Sequence, residues 1–363
     1  MSEPEVLVES WSPCCNIQAF VEESDTCCYF YLWFFPGSEE AFAKSCWICN
    51  TVTAPVKLDV EGMREGKAPA MPKEHIKHDS KGIRLDPENL SIVWFEEGNA
   101  AALLEEGKIL CVIPGWGGYQ GFHGYSRYAK GNAPCAWELE PAEAVLSARV
   151  EKSRRFWSDL DEDYWEEEQD LHLRALKGFF GEYEKYFAID GGKFPAKALV
   201  TGRKEGICYG ITAGVSLLPM PGVESYYEEK QVGDFRRIEL GFAAVEEMEE
   251  VCMRMYSFLS SLSNLPWRDV SFLGHGHTVP CSAIEGFAAV WLLNCALMPE
   301  LLSPMYPTYR GDRINLLWAV PLTQEEYDFV RSLEAGTDKV LERVKVPWNR
   351  LPIFDGTTKL NGV

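Results

Sequence analysis

Four stretches of this chain hold residue types that could do chemistry. Cys46-Trp-Ile-Cys49 has the two-residue gap of a zinc or redox pair. A structural zinc needs a second such pair, and Cys27-Cys28 lacks the gap. A redox pair is expected to open a helix, whereas the Asn-Thr-Val-Thr-Ala-Pro that follows reads as extended. Cys14, Cys15, Cys27 and Cys28 lie beside aromatic residues, where free cysteine behaves as a small buried hydrophobe. Packing is therefore the reading for the thiols, with zinc or redox chemistry at Cys46 and Cys49 left as the alternative. His275-Gly-His277 is the second stretch: on a strand, side chains at i and i+2 point the same way and can share a metal. The ordinary alternative is a pair of hydrogen-bonded structural histidines. Cys281 follows closely and is the third candidate, a nucleophile if an imidazole reaches it. The fourth is the glycine-rich run 114–124. It lacks a Gly-Lys-Ser/Thr ending, and Trp116, Tyr119 and Phe122 would crowd a loop meant to cradle phosphate. Such a loop either folds onto the core or presents Trp116, Phe122, His123, Tyr125 and Arg127 to a protein partner, since aromatic residues and Arg dominate binding hot spots.

No Gly-x-Ser-x-Gly elbow, HExxH pair, kinase signature set or EF-hand loop is present. The expectation is a non-enzymatic protein with no cofactor. The rival is a metal-dependent or Cys/His hydrolase using His275, His277 and Cys281.

The elements that position these residues divide the chain. Its 363 residues exceed one ordinary core. Residues 1–140 read as a β-rich domain, with strands expected over 28–35, 90–95 and 108–113 and a surface loop over 62–87. A helical, acidic connector is expected over 141–174. It opens at Pro141 with Ala144, Val145 and Ala148 at helical spacing, and it carries the carboxylate run Asp159, Asp161, Glu162, Asp163, Glu166, Glu167, Glu168 and Asp170. Leu173, Leu176, Phe180, Tyr183 and Phe187 then fall on one helical face. Further strands are expected over 206–219, 235–244, 270–273, 285–293 and 314–320. Val245, Met248, Val251, Cys252, Met255, Phe258, Leu259 and Leu262 form an apolar helical stripe. Thr323-Gln-Glu-Glu326 is a capping box opening a helix with Phe329, Val330 and Leu333. This alternation implies an α/β (α+β) domain with a mixed sheet over 175–346, followed by a tail over 347–363.

A formal net charge of −20 repels phosphate backbones and anionic membranes, so neither nucleic acid nor membrane is expected as a partner. The surplus serves solubility first, and read functionally it fits a cationic protein. The first residues lack the basic and apolar regions of a secretory signal, and no stretch is long and apolar enough to span a bilayer. The expected location is the cytoplasm.

Taken in order, several segments resemble a known family: Phe180-Gly-Glu-Tyr-Glu-Lys-Tyr-Phe187, Ile211-Thr-Ala-Gly-Val-Ser-Leu-Leu-Pro-Met220, Arg237-Ile-Glu-Leu240, Gly274-His-Gly-His-Thr-Val279 and Asn315-Leu-Leu-Trp-Ala-Val-Pro-Leu-Thr-Gln-Glu-Glu326. The succession, over roughly residues 175–346, is similar to the bacterial type of suppressor-of-fused-like (Sufu) domain. What the resemblance implies is a non-enzymatic domain that captures other proteins, with bacterial members resembling immunity proteins or antitoxins that neutralise toxin domains, often nucleases. No counterpart of the animal protein's C-terminal domain is visible, so binding of Gli-type transcription factors is not carried over. Together with the acidity, the expectation is sequestration of a basic protein by occlusion, with Trp116, Phe122, His123, Tyr125, Arg127, His275 and His277 as contacts. The partner's identity and the oligomeric state are not legible.

Overall fold

A computed structural model describes residues 4–160, 164–298, 301, 303–332 and 336–360. The chain forms two compact units, Met1–Asp161 and Glu162–Val363. Among the described residues no helix is long and apolar enough to cross a membrane. The architecture is α+β with a β-rich N-terminal region, as the alternation of periods implies.

In the first unit β1 (Glu5–Trp11), β2 (Ile17–Glu23), β3 (Cys27–Phe34) and β4 (Phe42–Asn50) form an antiparallel meander. Period-two alternation buries Ile17, Ala19 and Val21 of β2 on the inner face. The helix α1 (Val60–Arg64) lies in the long connection after β4. A second sheet follows from β5 (Leu90–Trp94), β6 (Ala101–Glu105), β7 (Lys108–Ile113), β8 (Tyr125–Ser126), β9 (Asn132–Ala133) and β10 (Ala136–Glu138), in the order β5-β6-β7-β8-β10-β9. The sheets are tied by polar bonds: the Trp94 indole donates to Ser10 Oγ at 3.1 Å and Ser126 Oγ donates to the Ile48 carbonyl at 3.1 Å.

The helix α2 (Glu143–Ser158) covers the second sheet, with Leu146 and Val150 packed against Ala102, Leu104 and Ile109. It uses a different face from the one its spacing suggested: Ala144, Val145 and Ala148 are exposed, while Leu146, Val150, Ser153 and Phe156 are buried. Both sets have helical spacing, and only the larger side chains remove enough apolar area from water to decide the face. All twelve cysteines are free thiols, and every one but Cys14 is buried.

The second unit opens with α3 (Tyr164–Phe180), and the carboxylates Glu166 and Glu167 sit in its first turn, where the helix dipole favours them. Asp161, Glu162 and Asp163 lie outside the described residues. The helix stops at Gly181, whose φ of +90° only glycine adopts cheaply, so Tyr183 and Phe187 do not continue its face and Phe187 belongs to a strand. The sheet consists of β11 (Lys185–Ala188), β12 (Ala198–Lys204), β13 (Ile207–Ala213), β14 (Arg237–Val245), β15 (Thr278–Pro280), β16 (Ala289–Asn294), β17 (Ile314–Leu322) and β18 (Ile353–Phe354). Its order is β11-β12-β13-β14-β17-β16-β15, with β18 added beside β14. The β14–β17 and β14–β18 pairs are parallel and the rest antiparallel, which makes the sheet mixed. Thus residues 353–354, in the segment expected as a tail, add a strand.

Beyond β13 come α4 (Glu229–Phe235) and, after β14, α5 (Glu249–Leu262) and α6 (Leu265–Arg268). The expected apolar stripe of α5 holds for Cys252, Met255, Leu259 and Leu262, and Tyr256 joins it. Gly210 of β13 makes room for that ring: a Cβ there would lie 2.3 Å from Tyr256. The capping box is present, Thr323 Oγ1 accepting from the Glu326 amide at 3.3 Å and Glu326 accepting from the Thr323 amide at 2.9 Å, and it opens α7 (Gln324–Arg331). Leu333 lies outside the described residues, and α8 (Thr337–Leu341) follows. The segment expected as a strand over 270–273 is irregular, and β16 begins at Ala289 rather than at 285.

Candidate functional site

The glycine-rich loop of the first unit leaves β7 and returns in β8. Gly118 and Gly124 hold φ of +92° and +155°, and a Cβ on Gly124 would meet the Val112 carbonyl at 2.5 Å. These turns fold the loop down. Phe122 is a core residue, set edge-on to Tyr125 at 5.0 Å and to Trp137 at 4.8 Å. His123 places Nδ1 3.2 Å from the Ser45 carbonyl. Arg127 donates to the Ile109 carbonyl and lies 3.5 Å from the Glu105 carboxylate, so its charge is tied to the β6–β7 hairpin. Trp116, His123, Tyr125 and Arg127 are half-buried. The large apolar side chain most open to solvent in this loop is Tyr119, 68 % exposed at the tip. Sequence reading missed it as an anchor because nothing local distinguishes it from Phe122.

In the second unit His275 and His277 do not sit on a strand as their spacing suggested. Gly276, at φ +84°, turns the chain between them, and β15 starts one residue later. His275 Nδ1 accepts from the Asn294 amide at 3.1 Å, while the His277 ring packs on Phe272 with centroids 4.9 Å apart. Burial pushes the His277 imidazole below its usual range, toward the neutral form. It lines a cavity of about 500 Å³ with Leu265, Phe272, Leu273, Val279 and Val330. Cys281 is elsewhere engaged, its Sγ 3.9 Å from Met255 Sδ. Among the described residues no imidazole lies within hydrogen-bonding reach of that thiol, and burial pushes it up, opposite to the shift a nucleophile needs. Nor do three His, Cys, Asp or Glu side chains converge among the described residues as a metal centre requires. Cys46 contacts Cys111, and Cys49 lies opposite Cys28 in the β3–β4 ladder. The geometry thus brings none of the hydrolase candidates together.

The most elaborate polar structure was not anticipated as a unit. Glu239, fully buried near the start of β14, has both oxygens occupied: Oε1 accepts from the Gly214 and Ser216 amides at 3.0 and 3.1 Å and from Ser216 Oγ at 2.7 Å, and Oε2 accepts from Thr212 Oγ1 at 2.6 Å. His172 of α3 completes it, with Nε2 2.9 Å from Ser216 Oγ and 3.1 Å from Glu239, and Nδ1 2.8 Å from the Glu168 carbonyl. The one hydroxyl proton of Ser216 is directed at Glu239, so Nε2 must donate. Nδ1 faces a carbonyl and is placed to donate too, an arrangement that favours the imidazolium form. Burial opposes that charge, yet the Glu239 carboxylate and the Glu168 carbonyl outweigh it and hold the His172 pKa above its usual range. Beside it Arg237 donates Nε to Asp312 at 2.7 Å and Nη1 to the Ser216 and Leu217 carbonyls at 2.9 and 2.7 Å, and Arg236 meets the same carboxylate at 2.8 Å. Arg237-Ile-Glu-Leu240 was visible as a motif. Its partners His172 and Asp312 lie 65 and 75 positions away from Arg237, beyond any local signal.

This network is closed to solvent, with Glu239 fully buried, so its groups serve one another rather than a ligand. Compared with known proteins, no curated protein matches the chain in sequence. Residues 193–355 match the family model for suppressor of fused protein (SUFU). They span the Thr212–Glu239–Asp312 network and seven of the eight strands of the second sheet. On that match and this fold, residues 193–355 of the second unit form a suppressor-of-fused-like domain, a likeness that suggests regulatory protein binding.

Proposed function

We propose that this chain works by sequestering a basic protein, in the manner of an immunity protein or antitoxin that covers a toxin domain such as a nuclease, without turnover. The observation that carries the reading is the suppressor-of-fused match over residues 193–355. Two features support it. The net charge of −20 would steer a cationic partner and speed encounter. Half-exposed Trp116, His123, Tyr125 and Arg127, with Tyr119 in the place expected for Phe122, offer anchoring area on the first unit, and His275 and His277 offer it on the second. The cytoplasm is the proposed location.

Co-expression with a toxin domain encoded beside its gene tests this. Restored growth together with a stable complex on size-exclusion chromatography is expected. A chain that neither protects nor forms the complex would overturn the reading.

A further inference from the structure

The outer face of the β1–β4 sheet departs from the usual rule for an antiparallel sheet with one solvated side, which is polar outward. Register places Trp11, Gln18 and Trp33 in one row across β1, β2 and β3, with Glu9, Phe20 and Tyr31 in the next row on the same face. Val6, Glu22 and Tyr29 form the row beyond, and there the face closes, since Tyr29 is buried and donates to the Pro69 carbonyl at 2.8 Å. Trp11 is 55 % exposed, Val6 51 % and Trp33 38 %, and Phe20 stacks on Tyr31 with centroids 5.1 Å apart. The meander therefore turns Trp11 and Trp33 to solvent with the half-buried Phe20–Tyr31 stack beside them, an apolar patch of the kind that marks an interaction site.

Its charge says what would cover it. The first 43 residues hold eight Asp and Glu and not one Lys, Arg or His. On the aromatic face Glu9 accepts from the Gln18 amide at 2.9 Å, and among the described residues Glu22 has no cationic partner at all. Aromatic faces attract guanidinium and ammonium groups through the ring quadrupole, and carboxylates between the rings add direct ion pairing. A second copy of this acidic chain would be repelled, and so would nucleic acid.

We propose that the outer face of the β1–β4 sheet is a cation-binding platform for an arginine- and lysine-rich segment of a protein partner, with Trp11, Trp33, Phe20 and Tyr31 stacking on the side chains and Glu9 and Glu22 pairing their charge. This rests on the proposed role as a binder of a basic protein and names the surface that does the binding.

The test is fluorescence anisotropy of labelled nona-arginine against the full chain at physiological salt, with nona-citrulline as the uncharged isostere. Wild type is expected to bind the arginine peptide and not the citrulline one. W11A/W33A should weaken binding roughly tenfold, W11F/W33F should restore most of it, and E9Q/E22Q should weaken it several-fold. Should W11A/W33A not fold, E9K alone, at an exposed position, carries the test and is expected to weaken binding. Binding that is equal in wild type and all these variants overturns the platform while leaving a basic partner in place elsewhere on the acidic surface. Failure of wild type to prefer arginine over citrulline overturns both. Binding of chitohexaose that depends on Trp11 and Trp33 but not on Glu9 and Glu22 would make the face a sugar-stacking surface and overturn the proposal as well.

Discussion

The β1–β4 sheet of the first unit and the sheet of the second differ in where they put charged and aromatic side chains. At the centre of its sheet the second unit buries Arg237, Glu239, His172 and Asp312, each bonded to named partners. The first unit fills the inner face of its meander with aliphatic, aromatic and thiol side chains and turns Trp11 and Trp33 outward. A buried ionic network is weak as a source of stability but punishes any arrangement that leaves one member alone, so it selects a single strand order. An exposed aromatic patch on an outer face is of the kind that marks an interaction site. The contrast teaches that the ionic network of the second unit is sealed inside the scaffold, while the exposed rings of the β1–β4 sheet are open to contact.

The sharpest way to break that contrast is Asp312→Ala, which removes the carboxylate that Arg236 and Arg237 share. A loss of about 3–5 kcal/mol is expected in urea unfolding followed by a probe in the second unit. A loss under about 1 kcal/mol would mean the network does not set the strand order. Next is pH. The His172 pKa is raised in the fold, so its proton stabilises fully below the ordinary imidazole value and that stability is lost as pH rises through the raised one. The second unit's midpoint should fall over that window in wild type and stay flatter in His172→Gln. A matching slope in both sinks the imidazolium assignment. Thr323→Ala, which removes half of the capping box, should cost about 1 kcal/mol, measured the same way. Smallest of all, W11F/W33F is expected to change stability by no more than about 0.5 kcal/mol, because an aromatic ring still covers each partly exposed site. A loss of several kcal/mol there would make the face part of the core and erase the difference between the units.

Much of the scaffold was legible. Strands read at 28–35, 90–95 and 108–113 correspond to β3, β5 and β7 within a residue, because β-branched and aromatic runs bounded by turn residues have few other uses. The capping box and the stripe of α5 were equally plain, each being a local pattern with a local cause. What failed were inferences that needed a third dimension. On α2 two helical faces competed, and the sheet chose the one with Leu146 and Val150. Beyond Gly181 the periodicity of Tyr183 and Phe187 persisted in sequence after the helix had ended. At 275–277 a glycine turn replaced the strand that would have aligned two imidazoles.

Composition and period therefore determined the α+β class, since these depend on neighbours within a turn or a strand, and the order of short segments carried the resemblance to the suppressor-of-fused-like domain. Only the tertiary structure decided that Phe122 is core and Tyr119 surface, that His172 joins Glu239 across 67 positions, and that Trp11, Phe20, Tyr31 and Trp33 share one face. The physical reason is the same in each case. Burial and partnership are properties of a packed neighbourhood, and a neighbourhood is assembled from distant parts of the chain.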